Sequence, residues 1–345
     1  MPNIKKKIII LGFGGTIAMV PDTNGILKPA KSIDEILSIV PTLREQADIR
    51  FEQIENLDST NINPTHWKKL ILKISEVCDQ YDGIIITHGT DTMAYTASAV
   101  SLGLGRGLKI PIIFTGSQLP LVSFGTDARF NLENSMKALL RAIEGSINEV
   151  MIVFSDRVLR ASRAIKTSES KFAAFDSPAY PDLAYVNAVG VSFNPNAFTV
   201  EKESQFLIKP DFQKGIFAID LVPGLDPKLF LEFLKSGSCT GVLLKSLGAG
   251  NVPSFGEYSL IPVIEEATKM NIPVLISTKF VGGNTHPEIY EPGKLAVNAG
   301  AIPTGDLTDV MAQVKFMWAL ALGHKSHAEL REVINTSFVG EITGK

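Results

Sequence analysis

Short aliphatic runs almost free of charge alternate along this chain with stretches patterned for amphipathic helices. No other feature constrains the fold as strongly. A strand that is apolar at nearly every position must be covered on both faces, and parallel strands joined by helices meet that demand. The runs are Lys7 to Phe13, a second around Ile49 and Phe51 ending near Leu57, Gly83 to Thr87, Ile110 to Phe114, and Val150 to Phe154. Ser32-Ile33-Asp34-Glu35 reads as a capping box opening a short helix. Pro64 opens another, with Trp67, Leu70, Ile71, Ile74, Val77, Cys78 and Tyr81 on one stripe. Further helices are expected from about Asp91 and over Asn131 to Ile143.

The regularity lapses between about Ser192 and Phe212, where Pro195, Asn196 and Glu201-Lys202-Glu203-Ser204 suggest a linker. It resumes with strands over Gly215 to Val222, Thr240 to Leu247 and Pro273 to Ser277. Helices are expected over Pro227 to Leu234, Leu260 to Met270 and about Leu307 to Leu322. The expected architecture is α/β. A larger N-terminal flavodoxin-like parallel-sheet domain occupies residues 1–192, a linker 193–212, and a smaller C-terminal α/β domain 213–345.

Composition narrows the function. Of 345 residues, 45% are apolar and 20% charged, so a packed core is expected. A net charge of −3 points to neither nucleic acid nor an acidic membrane surface. Lys5-Lys6-Lys7 precede an apolar run, but that run meets Gly12 too soon for a signal peptide, and no stretch is long enough to span a bilayer. A cytoplasmic location is expected. Cys78 and Cys239 build no disulfide framework. His324 and His327 read as a solvated helix end, and neither metal nor cofactor is expected.

In an open parallel sheet, ligands bind beyond the carboxyl ends of the strands. Those positions here carry Gly14-Gly15-Thr16, Asp58-Ser59, His88-Gly89-Thr90-Asp91-Thr92, Thr115-Gly116-Ser117-Gln118, and Ser155-Asp156-Arg157 with Lys166-Thr167 further on. Each has an ordinary explanation alone. The glycines suit a tight turn. Asp58-Ser59 suits a turn, and Thr90-Asp91 a helix N-cap. His88 reads as a structural histidine, and Lys166 as a surface lysine. Gly12-x-Gly14 hints at a dinucleotide fingerprint, but Ile17 stands where its third glycine belongs. Their placement on one edge carries more weight. A threonine hydroxyl is a weak nucleophile without a partner. A lysine amine oriented by aspartate can accept its proton, so Thr90, Asp91 and Lys166 could form a relay. Helix N-termini at that edge favour an anionic group such as an amino-acid carboxylate.

Two of these segments resemble the signatures of the asparaginase family. Phe13-Gly14-Gly15-Thr16-Ile17-Ala18 is similar to the first, and His88-Gly89-Thr90-Asp91-Thr92-Met93 to the second. Further likeness runs through Asp58-Ser59 with Trp67, Thr115-Gly116-Ser117-Gln118, Asp127 with Asn131, Lys166-Thr167, Gly248-Ala249-Gly250-Asn251, and Gly300, Gly305 and Asp306. It covers about residues 7 to 322. The resemblance implies that Thr16 attacks the side-chain amide of L-asparagine and forms an acyl-enzyme that water hydrolyses. Thr90, Asp91 and Lys166 form the second catalytic group. Asp91 and Ser59, in the Asp58-Ser59 pair, hold the α-amino and α-carboxyl groups with Gly15 and Gly89, and Ser117 contacts the amide. The family forms homodimers or homotetramers in which Asn251 comes from a neighbour. The cytoplasmic type resembles this chain best, since the periplasmic type carries a signal peptide and the related amidotransferase component an extra N-terminal domain.

Phe13 departs from the family, which usually has a small or hydroxyl residue there; it either narrows the pocket or points into the core. Many members carry a lid tyrosine, and Gly25-Ile26-Leu27-Lys28 has none, which leaves the partner of Thr16 open. Glu288, Glu291 and Tyr290 are candidates for a residue that the second domain supplies. Three readings follow: an asparaginase with weaker glutaminase activity, an amidohydrolase for another amino-acid amide, and a catalytically weak asparagine- or aspartate-binding sensor.

Overall fold

A computed structural model describes residues 5–15, 17, 19–21, 27–29, 40–198, 206–324 and 326–343. Thr16, the Ser32 capping box, Gly25-Ile26 and Glu201-Lys202-Glu203-Ser204 lie outside the described residues. The backbone divides into two compact units, Met1–Pro210 and Asp211–Lys345. The stretch from 206 belongs with the first, where Lys209 N donates to Gly103 O at 2.8 Å.

The first unit opens with β1 (Lys7–Phe13), a hairpin of β2 (Met19–Pro21) and β3 (Leu27–Pro29), α1 (Thr42–Gln46) and β4 (Asp48–Glu55). There follow α2 (Pro64–Val77), β5 (Gly83–Thr87), α3 (Met93–Leu104), β6 (Ile112–Thr115), α4 (Ala128–Glu144) and β7 (Val150–Phe154). Strands β1, β4, β5, β6 and β7 are parallel and lie in the order β4-β1-β5-β6-β7. By chain order this is the 2-1-3-4-5 arrangement of flavodoxin-like sheets. Its crevice lies beyond the carboxyl ends of β1 and β5, where the winding reverses.

Burial follows the sequence pattern. Ile8, Ile10, Ile85, Ile113 and Met151 pack with Leu132, Met136 and Leu139 of α4. The α2 stripe buries Trp67, Leu70, Ile71, Ile74 and Val77, while α3 is apolar nearly all round and enclosed on nearly all sides. The α2 stripe was expected to reach Tyr81, but the helix stops at Val77. The helix expected from Asp91 begins at Met93, which leaves Thr90 and Asp91 in the preceding loop.

After β7 the sheet turns antiparallel, which the apolar pattern did not announce. Ser155-Asp156 make a two-residue turn into β8 (Arg157–Arg160), with Ser155 at φ 57°. A separate two-stranded ladder pairs β9 (Ile165–Lys166) with β10 (Phe175–Asp176). Strands β11 (Ala184–Asn187) and β12 (Gly190–Phe193) then extend the main sheet beyond β8.

The second unit has four parallel strands in sequence order: β13 (Ile216–Asp220), β14 (Gly241–Ser246), β15 (Val274–Thr278) and β16 (Ala301–Pro303). Its helices are α5 (Pro227–Lys235), α6 (Ile261–Lys269), α7 (Glu291–Asn298), α8 (Asp309–Ala321) and α9 (His327–Asn335). Three of these elements, β16, α7 and α9, add to the expected pattern. His327 is the exposed first residue of α9, capped by Ser326 and Glu329, so it opens a helix of its own. Among the described residues, no helix is long and apolar enough to cross a membrane, and no group of three or more His, Cys, Asp or Glu side chains could hold a metal ion.

Candidate active site

Close backbone packing brings four strand ends of the first unit together, and glycine makes it possible. Gly15 has φ +83°, and a Cβ there would fall 2.5 Å from the Gly89 amide nitrogen. A Cβ on Gly89 would fall 2.7 Å from the Ser59 side chain, and one on Gly116 2.5 Å from the His88 carbonyl oxygen. The loops after β1, β4, β5 and β6 therefore touch one another where any larger residue would force them apart.

Three of the expected catalytic side chains meet in this crevice. Lys166 Nζ donates to Thr90 Oγ1 at 2.8 Å and to Asp91 Oδ1 at 2.6 Å. Thr90 Oγ1 donates in turn to Gln118 Oε1 at 3.4 Å. Lys166 is thus no solvated surface lysine, and the Asp91 carboxylate binds the amine instead of capping α3, whose N-cap residue Thr92 makes no side-chain cap bond. Lys166 enters from β9, 75 residues after Asp91. With an ammonium, a hydroxyl and a carboxylate in contact, a proton can pass between nitrogen and oxygen atoms without leaving the cluster.

The neighbouring loops are held from behind. Both Asp127 carboxylate oxygens accept from Gln118 N, at 3.1 and 3.0 Å, and Leu119 N donates to Asp127 Oδ1 at 3.1 Å. Asn131 Nδ2 donates to Gly116 O at 2.9 Å, and Asn131 Oδ1 accepts from Ser155 N at 2.9 Å. Ser117 is buried on this braced turn, and its Oγ has no hydrogen-bond partner among the described residues. Ser59 is buried too, its carbonyl accepting from Thr92 Oγ1 at 2.7 Å. Asp58 is exposed, and its Oδ1 accepts from Thr60 N and Oγ1. The backbone bond from Thr60, reinforced by the hydroxyl, holds the Asp58 carboxyl below its usual range.

His88 is fully buried behind the loop. Its Nδ1 pairs with Gly89 O at 2.7 Å, and its Nε2 with Thr96 Oγ1 at 2.9 Å, which itself accepts from Trp67 Nε1. A carbonyl only accepts, so Nδ1 carries the proton and the Thr96 hydroxyl donates to Nε2. Burial pushes the imidazole pKa down to about 4, against the opposing Gly89 bond. Neutral and enclosed, His88 is a structural histidine. Phe13 is likewise buried, stacked on His88 with ring centroids 5.6 Å apart, so it points into the core.

Asn251 lies in the second unit, in the loop after β14. Its backbone bridges to Leu247, and its Oδ1 is buried without a hydrogen-bond partner among the described residues. Glu288, Tyr290 and Glu291 also belong to that unit; Glu288 Oε1 lies 3.3 Å from His286 Nδ1, and Tyr290 precedes α7. The sequence reading gave no role to Gln118, Thr92 or Arg157. All three sit inside the strand-end segments already singled out, so adjacency alone could have flagged them.

Residues 7–199 match the family model for the asparaginase N-terminal domain, and residues 216–334 that for the glutaminase/asparaginase C-terminal domain. An L-asparaginase from Thermococcus kodakarensis is 36% identical over 342 residues, covering 98% of this chain and 99% of that protein. A component of the glutamyl-tRNA(Gln) amidotransferase from Aeropyrum pernix is 31% identical, covering 98% of this chain and 80% of that protein. The solved structure of the thermostable Thermococcus kodakarensis L-asparaginase superposes with a TM-score of 0.88 at 35% identity, covering 98% of this chain and 100% of that one. A probable cytoplasmic L-asparaginase from Campylobacter jejuni gives a TM-score of 0.81 at 27% identity, covering 96% and 100%.

Proposed function

The chain belongs to the asparaginase family of amidohydrolases, and from that premise we propose that it hydrolyses L-asparagine to L-aspartate and ammonia. The observation that carries the reading is the contact of Lys166 Nζ with both Thr90 Oγ1 and Asp91 Oδ1 at the switch point of the sheet.

In this proposal Thr16 Oγ1 attacks the side-chain amide carbon. The carbon–nitrogen bond breaks, ammonia leaves with the proton delivered to it, and the aspartyl ester on Thr16 is hydrolysed by water. The Lys166 ammonium donates to Thr90 as the cluster stands; its proton passes through Thr90 to the departing nitrogen, which leaves as ammonium, and the neutral amine left behind then takes the Thr90 proton as Thr90 draws one from the attacking water. The Asp91 oxygen not engaged by lysine faces the substrate's α-ammonium. Ser59, beside Asp58, and the Gly15 and Gly89 amides serve the α-carboxylate, and the Ser117 hydroxyl, which has no hydrogen-bond partner among the described residues, serves the amide. Weaker action on L-glutamine belongs to the same reading, because one methylene is discriminated by only ~1–3 kcal/mol. So do a cytoplasmic location and a homodimer or homotetramer in which Asn251 of the partner subunit reaches the substrate; light scattering checks the assembly.

The test is ammonia release from L-asparagine, with L-glutamine and D-asparagine alongside and Thr16→Ala as control. Release from L-asparagine that the substitution abolishes supports the reading. No release, with L-asparagine still raising Tm, turns it into the sensor; release unchanged in Thr16→Ala removes the nucleophile.

A further inference from the structure

Lys166 sits on a weak support. The β9–β10 ladder has two residues per strand, pairing Phe175 with Lys166 and Asp176 with Ile165. An isolated two-stranded ribbon of even normal length is marginal in water. Yet Nζ is held to within hydrogen-bond distance of two separate groups on another loop. Something must fix the ladder to the main sheet.

Arg157, the first residue of β8, does so. Its Nε and Nη2 donate to the two oxygens of Asp182, at 2.6 and 2.7 Å, in a bidentate pair. The same Nη2 donates to Asp176 Oδ1 at 2.7 Å, and Nη1 to the Phe175 carbonyl at 3.2 Å. Both β10 residues that pair with the lysine strand are thus gripped by one guanidinium rooted in the main sheet. The Phe154 and Phe175 rings, 4.9 Å apart, pack the same junction.

We propose that Arg157 is a positioning residue for Lys166, clamping the β9–β10 ladder so that the amine stays on Thr90 and Asp91. The proposal rests on the reading that Lys166 takes part in the reaction. A ladder released from the clamp keeps its fold but loses its register against the Thr90 loop. A displacement of about 1 Å at a reacting group costs on the order of 100-fold in rate. Arginine is required because one planar fork serves two carboxylates and a carbonyl at once; a lysine in its place reaches one of them.

The experiment measures kcat and KM for L-asparagine in Asp176→Asn, Arg157→Lys and Lys166→Met, each well below its own Tm. Arg157→Gln is unsuitable as the main variant, because it strands the Asp182 carboxylate, which is 6% exposed, without its partner. Asp176 is less buried, so Asp176→Asn takes the charge out of the link to the ladder, weakening it without stranding a buried carboxylate. The proposal expects kcat to fall roughly 10- to 100-fold in Asp176→Asn and Arg157→Lys, with KM within about threefold of native. Native kcat in both, beside an inactive Lys166→Met, overturns the clamp and leaves the reading of Lys166 standing. A loss that only tracks the unfolded fraction overturns it too. Full activity in Lys166→Met overturns the underlying reading and the clamp together.

Discussion

Among the lysine–carboxylate pairs of the two units, one in each stands out, and their surroundings are opposite. In the second unit Lys315 and Glu341 are 2.8 Å apart, with both side chains 0% exposed. Lys315 Nζ also donates to Ile334 O and Thr336 O, while Glu341 accepts from Phe338 N and Val339 N. Burial alone would raise the Glu341 pKa, but Lys315 and these amides outweigh it and hold it below its usual value. The ammonium is held by a carboxylate and two carbonyls, all closed off from solvent. In the first unit Lys166 is 15% exposed and Asp91 56%. There the amine also binds a hydroxyl, and the carboxylate opens to solvent. The difference teaches what a chemical role for Lys166 rests on: one partner left accessible and a transferable proton beside it, where Lys315 and Glu341 are both enclosed.

Substitution should separate the two pairs by readout. Lys166→Met is expected to lower kcat/KM for L-asparagine by about 1,000-fold or more while Tm moves little, measured by ammonia release and thermal melting. Lys315→Met is expected to do the reverse. It strands a buried carboxylate, costs about 3–5 kcal/mol in denaturant melts, and leaves kcat per folded molecule native. Adding Glu341→Leu should recover most of that stability, because a buried pair replaced whole by apolar residues is often neutral. If Lys315→Met lost activity in a folded protein, the contrast would break.

A pH titration of stability sharpens the contrast at His88, the buried group directly behind the Thr90–Asp91 loop. Its pKa falls from 6.5 to about 4 on folding. The unfolded chain therefore binds the extra proton first, and stability declines as pH falls from about 6.5 towards 4. The loss amounts to about 3 kcal/mol at 1.36 kcal/mol per pKa unit. His88→Asn should flatten that slope in urea melts taken across the window. A slope unchanged in the variant would assign it elsewhere. The smallest effect is expected at Lys109 and Asp79, paired at 2.6 Å but 53% and 68% exposed. Lys109→Ala should leave Tm and activity unresolved from native, since solvent and salt screen such a pair.

The parts of this architecture legible in the sequence are those fixed by local pattern. Strands β1, β5 and β7 begin and end where their apolar runs do. The antiparallel edge was not legible, because its turn at Ser155 takes φ 57° without the glycine that usually announces it. Helix α7 carries Pro292 and Gly293 in its first turn, a composition that reads as loop. Within the site, the residue types on the strand ends could be read, and Thr90 and Asp91 were placed near the crevice by order alone. That Lys166 reaches them, and that Arg157 grips the strand opposite, depends on the β9–β10 pairing and on side-chain bonds from β8 to β10 that no local pattern announces.

The most direct test of the account is to quench the enzyme in acid during turnover of L-asparagine and map the aspartyl adduct by peptide mass. The account predicts an ester on the peptide containing Thr16 and none on that containing Thr90, whose hydroxyl is engaged by Lys166 and Gln118. An adduct on Thr90 instead would make that threonine the nucleophile and contradict the division of roles between the two loops.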